Sequence, residues 1–233
     1  MHDIYDRAEQ WIASDCWVAY FDILGISNLM SIENDDPKAF LIRLDYEETI
    51  DILRRSCKEY DHGSLDYCWF SDTFLMFTAD DSPKSYSVIQ FAAKIFINRC
   101  LYSRIPIRGA ISVGSFMRSQ DNRSFIGKAF IDAYKYGEDQ DWLGLIITPR
   151  GITKAESYNL YPNRHDFVRS DKIPMRTLPS NDVMAYRFQN GAANFSSPLI
   201  PMLRDMKMQS GEEYRGKYER TEQFIIEHYR WMK

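Results

Sequence analysis

The sequence predicts an α+β domain in which a mostly antiparallel sheet is covered by helices. Two observations lead to this prediction. Short apolar runs typical of buried strands alternate with longer segments of helical periodicity over the first 150 residues. Two of these runs, within 65–81, flank a tight turn, as in an antiparallel hairpin. With 233 residues, 45% of them hydrophobic, the chain can bury one sizeable core.

Each predicted element follows from the spacing of its apolar residues and from its turn or cap residues. In chain order they are a strand at 16–23, a helix at 39–57, two strands around a turn at Ser71 and Asp72, a helix from Pro83 to about Tyr102, a strand at 105–114, a short strand after 124, a helix at about 127–138, a strand at 143–149, a late strand at 184–188 and two helices within 199–232. We expect one domain over 1–195, continued by a helical extension over 196–233.

Composition and charge exclude several classes of function. The net charge is −4 and no basic patch is present, which argues against a nucleic-acid partner. No apolar stretch approaches the roughly 20 residues of a membrane span, and the start "MHDIYDRAEQ" is too polar for a signal peptide. The four cysteines have no CxxC spacing, which favours reduced thiols over a zinc site. We therefore expect a cytoplasmic protein without membrane contact.

Two aspartates stand out because each lies beside an apolar strand. Asp22 ends the run "WVAYFD", and Asp72 lies in the turn of "CWFSDTFLMF". An isolated aspartate here would be an ordinary turn former or helix cap. If the first strand pairs beside the hairpin, however, both carboxylates reach one end of the sheet. Two hard oxygen ligands with room for phosphate oxygens suit Mg²⁺ or Mn²⁺, which would also offset the cost of burying Asp22.

Four segments together resemble the class III nucleotide cyclases, which have a ferredoxin-like palm fold. "YFDILGIS" (20–27) and "FSDTFLMF" (70–77) are similar to the two metal motifs of that family. "IPIRGAISVG" (105–114) resembles its arginine-bearing strand, and "IGKAFIDAYK" (126–135) resembles the helix that faces the partner subunit. The resemblance covers roughly residues 16–150 with the motifs in the family's order.

The resemblance implies a two-metal mechanism. Two Mg²⁺ or Mn²⁺ ions would be held by Asp22, Asp72 and the backbone carbonyl of Ile23, and the ribose 3′-hydroxyl would attack the α-phosphate with release of pyrophosphate. Arg108 would clamp a phosphate. Backbone N–H groups in the turn that holds Gly25, Ile26 and Ser27 would bind the triphosphate.

The base-reading positions depart from the purine cyclases. The residue four positions before the second metal aspartate is Lys or Glu in that family, and here it is Cys68. The second base-reading position, seven residues before the family's helix asparagine, is Ser124 here. On the helix, Ile131 replaces the ribose-orienting asparagine and Lys135 replaces the transition-state arginine. A site that lacks its base-pairing groups loses discrimination for that base, so purines would not be bound in the usual way.

Within the cyclases, the chain also resembles the stand-alone bacterial pyrimidine cyclases of the Pycsar antiphage system, although less specifically than it resembles the cyclase fold. It implies synthesis of cyclic UMP, or of cyclic CMP in second place, and a separate effector protein that binds the product. Donors for the pyrimidine edge would come from Tyr67, Ser124 and Lys128. The open alternatives are a purine cyclase with unusual base contacts and a non-catalytic nucleotide sensor or dimerisation module.

We also expect a head-to-tail homodimer with composite sites. In this hypothesis Asp22 and Asp72 come from one chain and Lys135 from the other, because the helix at 127–138 would not fold back over the metals of its own chain. A simpler interpretation is that Lys128 and Asp132, four residues apart, form an ordinary ion pair on the helix surface.

Overall fold

The structure is a computed structural model that describes residues 11–25, 47–52, 55, 65–120, 124–160, 166–188 and 199–229. Its strands are β1 (Trp11–Ile23), β2 (Leu65–Phe70), β3 (Thr73–Thr78), β4 (Ile107–Ser119), β5 (Phe125–Ile126), β6 (Leu145–Ile147), β7 (Phe167–Val168) and β8 (Met184–Tyr186). Its helices are α1 (Pro83–Tyr102), α2 (Lys128–Glu138), α3 (Pro149–Ser157), α4 (Leu199–Gln209) and α5 (Glu212–Tyr229), and residues 47–52 are also helical.

One mixed sheet organises the described chain. Its strands follow the order β2-β3-β1-β4-β6-β8-β7, with β5 paired to the far end of β4. The β4–β6 pair is parallel and the other pairs are antiparallel. The predicted α+β class, with a mostly antiparallel sheet under helices, is therefore confirmed.

Alternation along β1 divides the core between the two faces of the sheet. Trp17, Ala19 and Phe21 face the larger cluster, which includes buried residues of α1, α3, α4 and α5. Val18 and Tyr20 face a smaller cluster built with α2. Because successive side chains on a strand point to opposite faces, Asp22 shares the face of Val18 and Tyr20, under α2.

The close approach of α2 to the sheet depends on a glycine. A Cβ atom at Gly137 would lie 2.6 Å from Cδ1 of Tyr20, so only a hydrogen fits between this turn of the helix and β1. As a result the C-terminal turn of α2 packs directly over the end of β1, and Glu138 comes within reach of Tyr20 and Arg108.

Several predicted boundaries differ from the structure. β1 begins at Trp11 rather than 16, and β4 continues to Ser119 instead of stopping at Gly114, because the two strands pair along their whole length. The proline expected to stop the strand at 149 opens α3, a helix that the sequence analysis missed. The late strand is shorter, at Met184–Tyr186. Most of the helix predicted at 39–57 lies outside the described residues.

The two C-terminal helices pack on the same core as the rest of the chain. Leu203 on α4 and Phe224 on α5 are almost fully buried in the larger cluster. Within the described part of the chain, no helix is both long enough and apolar enough to cross a bilayer.

Candidate active site

The structure brings Asp22 and Asp72 together at one end of the sheet. Asp22 is paired with Thr73 in the β1–β3 ladder, and the N–H of Ile23 donates to the carbonyl oxygen of Asp72 at 3.0 Å. Asp72 lies in the two-residue turn between β2 and β3, where Ser71 has a φ of 53°. A positive φ at the first turn position is what tight hairpins of the II′ type require.

The nearest partner of Asp22 is an arginine on the adjacent strand. Arg108 faces Asp22 directly in the β1–β4 register, and its Nε and Nη2 atoms donate to Asp22 Oδ2 at 3.0 and 2.9 Å. The same guanidinium donates to a carboxylate oxygen of Glu138 at 2.6 Å and to the backbone carbonyls of Glu138 and Gln140 at 2.8 and 3.0 Å. A buried cation therefore neutralises part of the charge that we had expected a metal ion alone to balance.

This arrangement changes the role expected for Arg108. Its side chain is only 5% exposed. The five N–H groups of a guanidinium match the five hydrogen bonds that it makes here. No donor remains for a substrate phosphate in this conformation. In this conformation Arg108 holds Asp22 in place, and its role as a phosphate clamp stays a prediction.

Negative charge nevertheless remains in excess at this end of the sheet. Glu138 also accepts from the hydroxyl of Tyr20 at 3.0 Å. Burial, opposed by Arg108 and assisted by Glu138 and Asp72, raises the pKa of Asp22 to about 6. Arg108 thus contacts two carboxylates, with Asp72 as a third negative charge close to Asp22, and a further cation would stabilise them.

The donor set at this end fits a divalent ion whose remaining ligands come from elsewhere. Arg108 contacts only Oδ2 of Asp22, and among the described residues Oδ1 of Asp22 has no hydrogen-bond partner. No group of three or more His, Cys, Asp or Glu side chains in the described part of the chain is arranged to hold a metal. Mg²⁺ is commonly held by one or two carboxylates together with substrate phosphates, which matches the pair Asp22 and Asp72 with the adjacent Ile23 backbone.

The predicted base-reading residues do not all lie on one face. Cys68 packs against the smaller cluster, on the side of the sheet that carries Asp22 and α2. Ser124 is exposed and closes the β4–β5 connection: its carbonyl oxygen accepts from the N–H of Ser119, and its N–H donates to Ser119 Oγ. Tyr67 lies on the opposite face, where its ring stacks on Phe74 with centroids 5.7 Å apart. Adjacent strand residues point to opposite faces, so the structure separates Tyr67 from Cys68.

On α2, Lys128 and Lys135 are exposed, and Lys128 does not form the expected ion pair with Asp132. Lys128 is the first residue of the helix and Lys135 lies one turn before Glu138. Asp132 accepts from the hydroxyl of Ser112 at 2.6 Å instead of pairing with Lys128. The C-terminal turn of α2 reaches the end of the sheet that carries Asp22, because Glu138 contacts Arg108, and the composite site with Lys135 from a second chain stays a prediction.

The loop after β1 is described only as far as Gly25. Its φ of +69° suits glycine, and a Cβ there would lie 3.3 Å from the ring of Tyr214 on α5. Ile26 and Ser27, expected to offer backbone N–H groups to a triphosphate, lie outside the described residues.

Two groups near the site were missed by sequence reasoning. Glu138 was part of a predicted helix but had no motif of its own. Lys217 lay in the second of the two predicted C-terminal helices and was given no role. The one available signal was a lysine among the apolar positions of that helix.

Sequence comparison finds neither a matching protein-family model nor a matching curated protein. Comparison of the fold does find solved structures. The fold is that of nucleotide cyclase catalytic domains. The monomeric guanylyl cyclase domain of the RhoGC fusion protein from the aquatic fungus Blastocladiella emersonii has a TM-score of 0.51 at 14% identity, covering 68% of this chain and 91% of that one.

Two further structures give the same result. The guanylate cyclase domain of RhGC from Catenaria anguillulae, in complex with GTP, has a TM-score of 0.51 at 13% identity and covers 62% of this chain and 84% of that one. The guanylyl cyclase Cya2 has a TM-score of 0.51 at 10% identity, with 79% and 98% covered. At these identities the likeness concerns the fold.

Proposed function

We propose that this protein is a nucleotide cyclase that converts a pyrimidine nucleoside triphosphate, UTP in preference to CTP, to its 3′,5′-cyclic monophosphate and pyrophosphate. The observation that carries the proposal is the adjacency of Asp22 and Asp72 at one end of a sheet with the fold of cyclase domains. The excess negative charge at this end, where burial raises the pKa of Asp22 to about 6, supports cation binding there.

In this proposal Asp22, Asp72 and the carbonyl of Ile23 hold two Mg²⁺ or Mn²⁺ ions. When bound, these ions would favour ionisation of the ribose 3′-hydroxyl and offset the negative charge of the phosphates. Arg108 fixes the orientation of the Asp22 carboxylate from the adjacent strand and leaves Oδ1 for the cation. Lys135, exposed on α2, supplies a positive charge to the reacting phosphate of a substrate held by another subunit.

The pyrimidine preference rests on the base-reading positions. Cys68 is a weak hydrogen-bond donor, and burial raises its pKa further, so it stays uncharged. Ser124 and Lys128 are exposed donors at the start of the β5–α2 segment and would face the two carbonyl acceptors of uracil. Cytosine has only one such carbonyl, so we expect CTP to be a poorer substrate than UTP. Tyr67 is removed from this set because it lies on the other face of the sheet.

A purine cyclase is the second candidate, because the structures with this fold include a guanylate cyclase domain bound to GTP and a rhodopsin-guanylyl cyclase core with converted specificity bound to ATPαS. The third is a non-catalytic nucleotide sensor or dimerisation module. One observation supports an enzyme over a module: both aspartates lie at the same end of the sheet, where Asp22 is paired with Thr73 and the N–H of Ile23 donates to the carbonyl oxygen of Asp72.

The partner in the composite site is a second copy of this chain. Exposed apolar side chains cluster on the hairpins β2–β3 and β4–β5 and on α2, where a second copy would bury them. They are Trp69, Phe70, Met117, Ile126, Ile131 and Tyr134. A second structure of the fungal RhoGC domain is a dimer, of non-standard arrangement.

The resemblance to the Pycsar cyclases extends the proposal to a biological role. The cyclic nucleotide would act in the cytoplasm as a second messenger in antiphage defence, and a separate effector protein would bind it. This chain itself would contact neither nucleic acid nor membrane.

The deciding experiment incubates the protein separately with ATP, GTP, CTP and UTP in the presence of Mn²⁺ and identifies the products by mass spectrometry. We expect cyclic UMP as the main product and cyclic CMP as the second. A cyclic purine product formed at least about tenfold more efficiently would overturn the pyrimidine assignment, because that ratio corresponds to roughly 1.4 kcal/mol in favour of the purine. If no nucleotide gives a cyclic product or pyrophosphate, the result favours the non-catalytic sensor or dimerisation module.

Variants of the metal-binding pair test the site itself. Asp22→Asn and Asp72→Asn should each lose product formation by at least about a hundredfold, since each removes a charged ligand. The matched control is Asp66→Asn on β2, which removes a carboxylate that forms an ion pair with Arg118 at 3.4 Å, and it should keep full activity. Retention of the far-ultraviolet circular dichroism spectrum shows that the variants remain folded.

A further inference from the structure

A cluster of positive charge lies beside the proposed metal-binding end and takes no part in the mechanism above. Its centre is Asp141, in the loop between α2 and β6. Arg220 Nη2 lies 2.6 Å from Asp141 Oδ2, and Lys217 Nζ and Arg176 Nε lie 3.4 and 3.9 Å from Asp141 Oδ1. Three cations thus share a single carboxylate, which leaves an excess of positive charge.

Lys217 is the least satisfied member of this cluster. Its side chain is 7% exposed, and its Nζ atom is buried without a hydrogen bond of good geometry. Burial, together with the charges of Arg108 and Arg176, lowers the pKa of Lys217. A buried ammonium without an adequate partner costs free energy, so a lysine in this position is expected to serve a ligand that supplies the missing negative charge.

Helix α5 is held firmly against the end of the sheet that carries Asp22. The Thr221 hydroxyl accepts from the N–H of Leu143 at 2.8 Å, and Arg220 Nε donates to the carbonyl of Asp141 at 2.8 Å. Tyr214 packs over Gly25, just beyond β1. The helix therefore presents Lys217 to this end on a rigid support.

The order of the strands places charge of opposite sign along this end. Asp72 precedes β3, Asp22 ends β1, Arg108 begins β4, and the loop that holds Asp141 precedes β6. Neighbouring strands lie about 4.8 Å apart, so the start of β6, which follows the loop with Asp141, is two strand spacings, roughly 10 Å, from the end of β1. A nucleotide whose α-phosphate lies at Asp22 and Asp72 would extend its remaining phosphates along this line.

We propose that Lys217, with Arg176 and Arg220, forms a polyphosphate site that receives the terminal phosphates of the nucleotide and the pyrophosphate it leaves. The inference rests on the proposed cyclase function. It also explains how the chain binds phosphate although Arg108 is fully engaged with Asp22, Glu138 and two backbone carbonyls. The ammonium group of lysine and the guanidinium group of arginine are the usual partners of phosphate oxygens.

The test is calorimetric titration of the full-length protein with inorganic pyrophosphate, without metal and at low salt. We expect binding to the wild-type protein that weakens about tenfold in Lys217→Met, the loss of one charge-assisted hydrogen bond. The matched control is Lys207→Met on α4, whose lysine pairs with Glu219 at 3.3 Å, and it should bind pyrophosphate like the wild type. Asp141→Asn removes the competing carboxylate and should bind pyrophosphate more tightly.

Two variants guard against misfolding and separate this inference from the proposed function. Arg176→Gln alters a half-exposed side chain and should also weaken pyrophosphate binding severalfold without loss of fold. Asp22→Asn should keep metal-free pyrophosphate binding even though cyclase activity is lost, so a protein that binds pyrophosphate but forms no cyclic product contradicts the cyclase function alone. Equal pyrophosphate affinity of wild type, Lys217→Met and Arg176→Gln, or no binding by the wild type, overturns the polyphosphate site.

Discussion

At the scale of single residues, the site is organised around one arginine shared by two acids. Arg108 joins Asp22, on the neighbouring strand, to Glu138, at the end of α2. A buried carboxylate is tolerated only when a cation and hydrogen bonds compensate for its lost hydration. Arg108 provides this compensation for Oδ2 of Asp22, and the rise in the pKa of Asp22 shows that the compensation is incomplete.

This arrangement predicts an asymmetry between the two partners. In metal-free protein, Arg108→Met should reduce the free energy of unfolding by about 3–5 kcal/mol, because it leaves Asp22 and Glu138 without their cation. Asp22→Asn should cost less than about 2 kcal/mol, because Arg108 keeps Glu138 and the amide oxygen still accepts. Urea denaturation measures both values, provided that the m-value is unchanged.

The control for this comparison is Arg118→Met, on the same strand. Arg118 pairs with Asp66 at 3.4 Å and lies over the ring of Phe77, and its substitution should cost less than that of Arg108, because the Asp66 side chain, 46% exposed, can be hydrated once its partner is lost. Equal losses for Arg108→Met and Asp22→Asn would show that the two residues act as an isolated pair and that Glu138 plays no part.

At the scale of elements, the position of α2 over β1 decides whether Glu138 can reach Arg108. Gly137 allows this contact because it has no side chain at the point where the helix touches Tyr20. The same element carries Lys135 and begins next to the base-reading segment. A small displacement of α2 would therefore affect metal-ligand geometry and base recognition together.

Gly137→Ala tests this packing. The added methyl group would lie 2.6 Å from a ring carbon of Tyr20, so the variant should lose about 1–3 kcal/mol of stability through overpacking, and its cyclase activity should fall as well. Thermal and urea unfolding measure the first effect. The control is Gly216→Ala on α5, where the nearest atoms belong to the flexible end of Arg220 at 3.1 Å, and stability there should stay equal or rise by up to about 1 kcal/mol.

At the scale of the whole molecule, the proposed active site needs two chains. The exposed aromatic and aliphatic residues on the two hairpins and α2 form an apolar surface for a second copy. In a symmetric dimer the same surface serves both copies, so each dimer contains two sites. The C-terminal helices, packed on the core of their own chain, add the cation cluster to each site from within.

Mixing variants tests the composite site. An Asp72→Asn chain and a Lys135→Ala chain should each be inactive alone, while each mixed dimer regains one intact site, made from the aspartates of one chain and the lysine of the other. Product formation on mixing measures the effect. Mixing Asp72→Asn with Asp22→Asn should restore nothing, because both aspartates belong to the same half-site. An inactive first mixture, or an active protein that sediments as a monomer, would contradict the arrangement.

The sequence by itself determined the α+β class and the hairpin around Asp72, because these depend on local periodicity and turn chemistry. It placed Asp22 near Asp72 only on the condition that the first strand pairs beside this hairpin, and the tertiary structure supplies that pairing. The sequence did not predict that Arg108 would face Asp22, a contact between residues 86 positions apart. A shift of one residue in the β1–β4 register would have turned one of these side chains to the opposite face, and only tertiary pairing sets that register.

Tertiary structure alone also decided the roles of Glu138, Tyr67 and Lys217. Glu138 lies close to Arg108 because Gly137 lets α2 approach β1. Tyr67 lies on the face of the sheet opposite Cys68, because strand alternation turns its ring toward Phe74. Lys217 reached the site because α5 packs against the loop before β6. Each of these outcomes depends on contacts between elements distant in sequence, for which apolar spacing and short motifs contain no information.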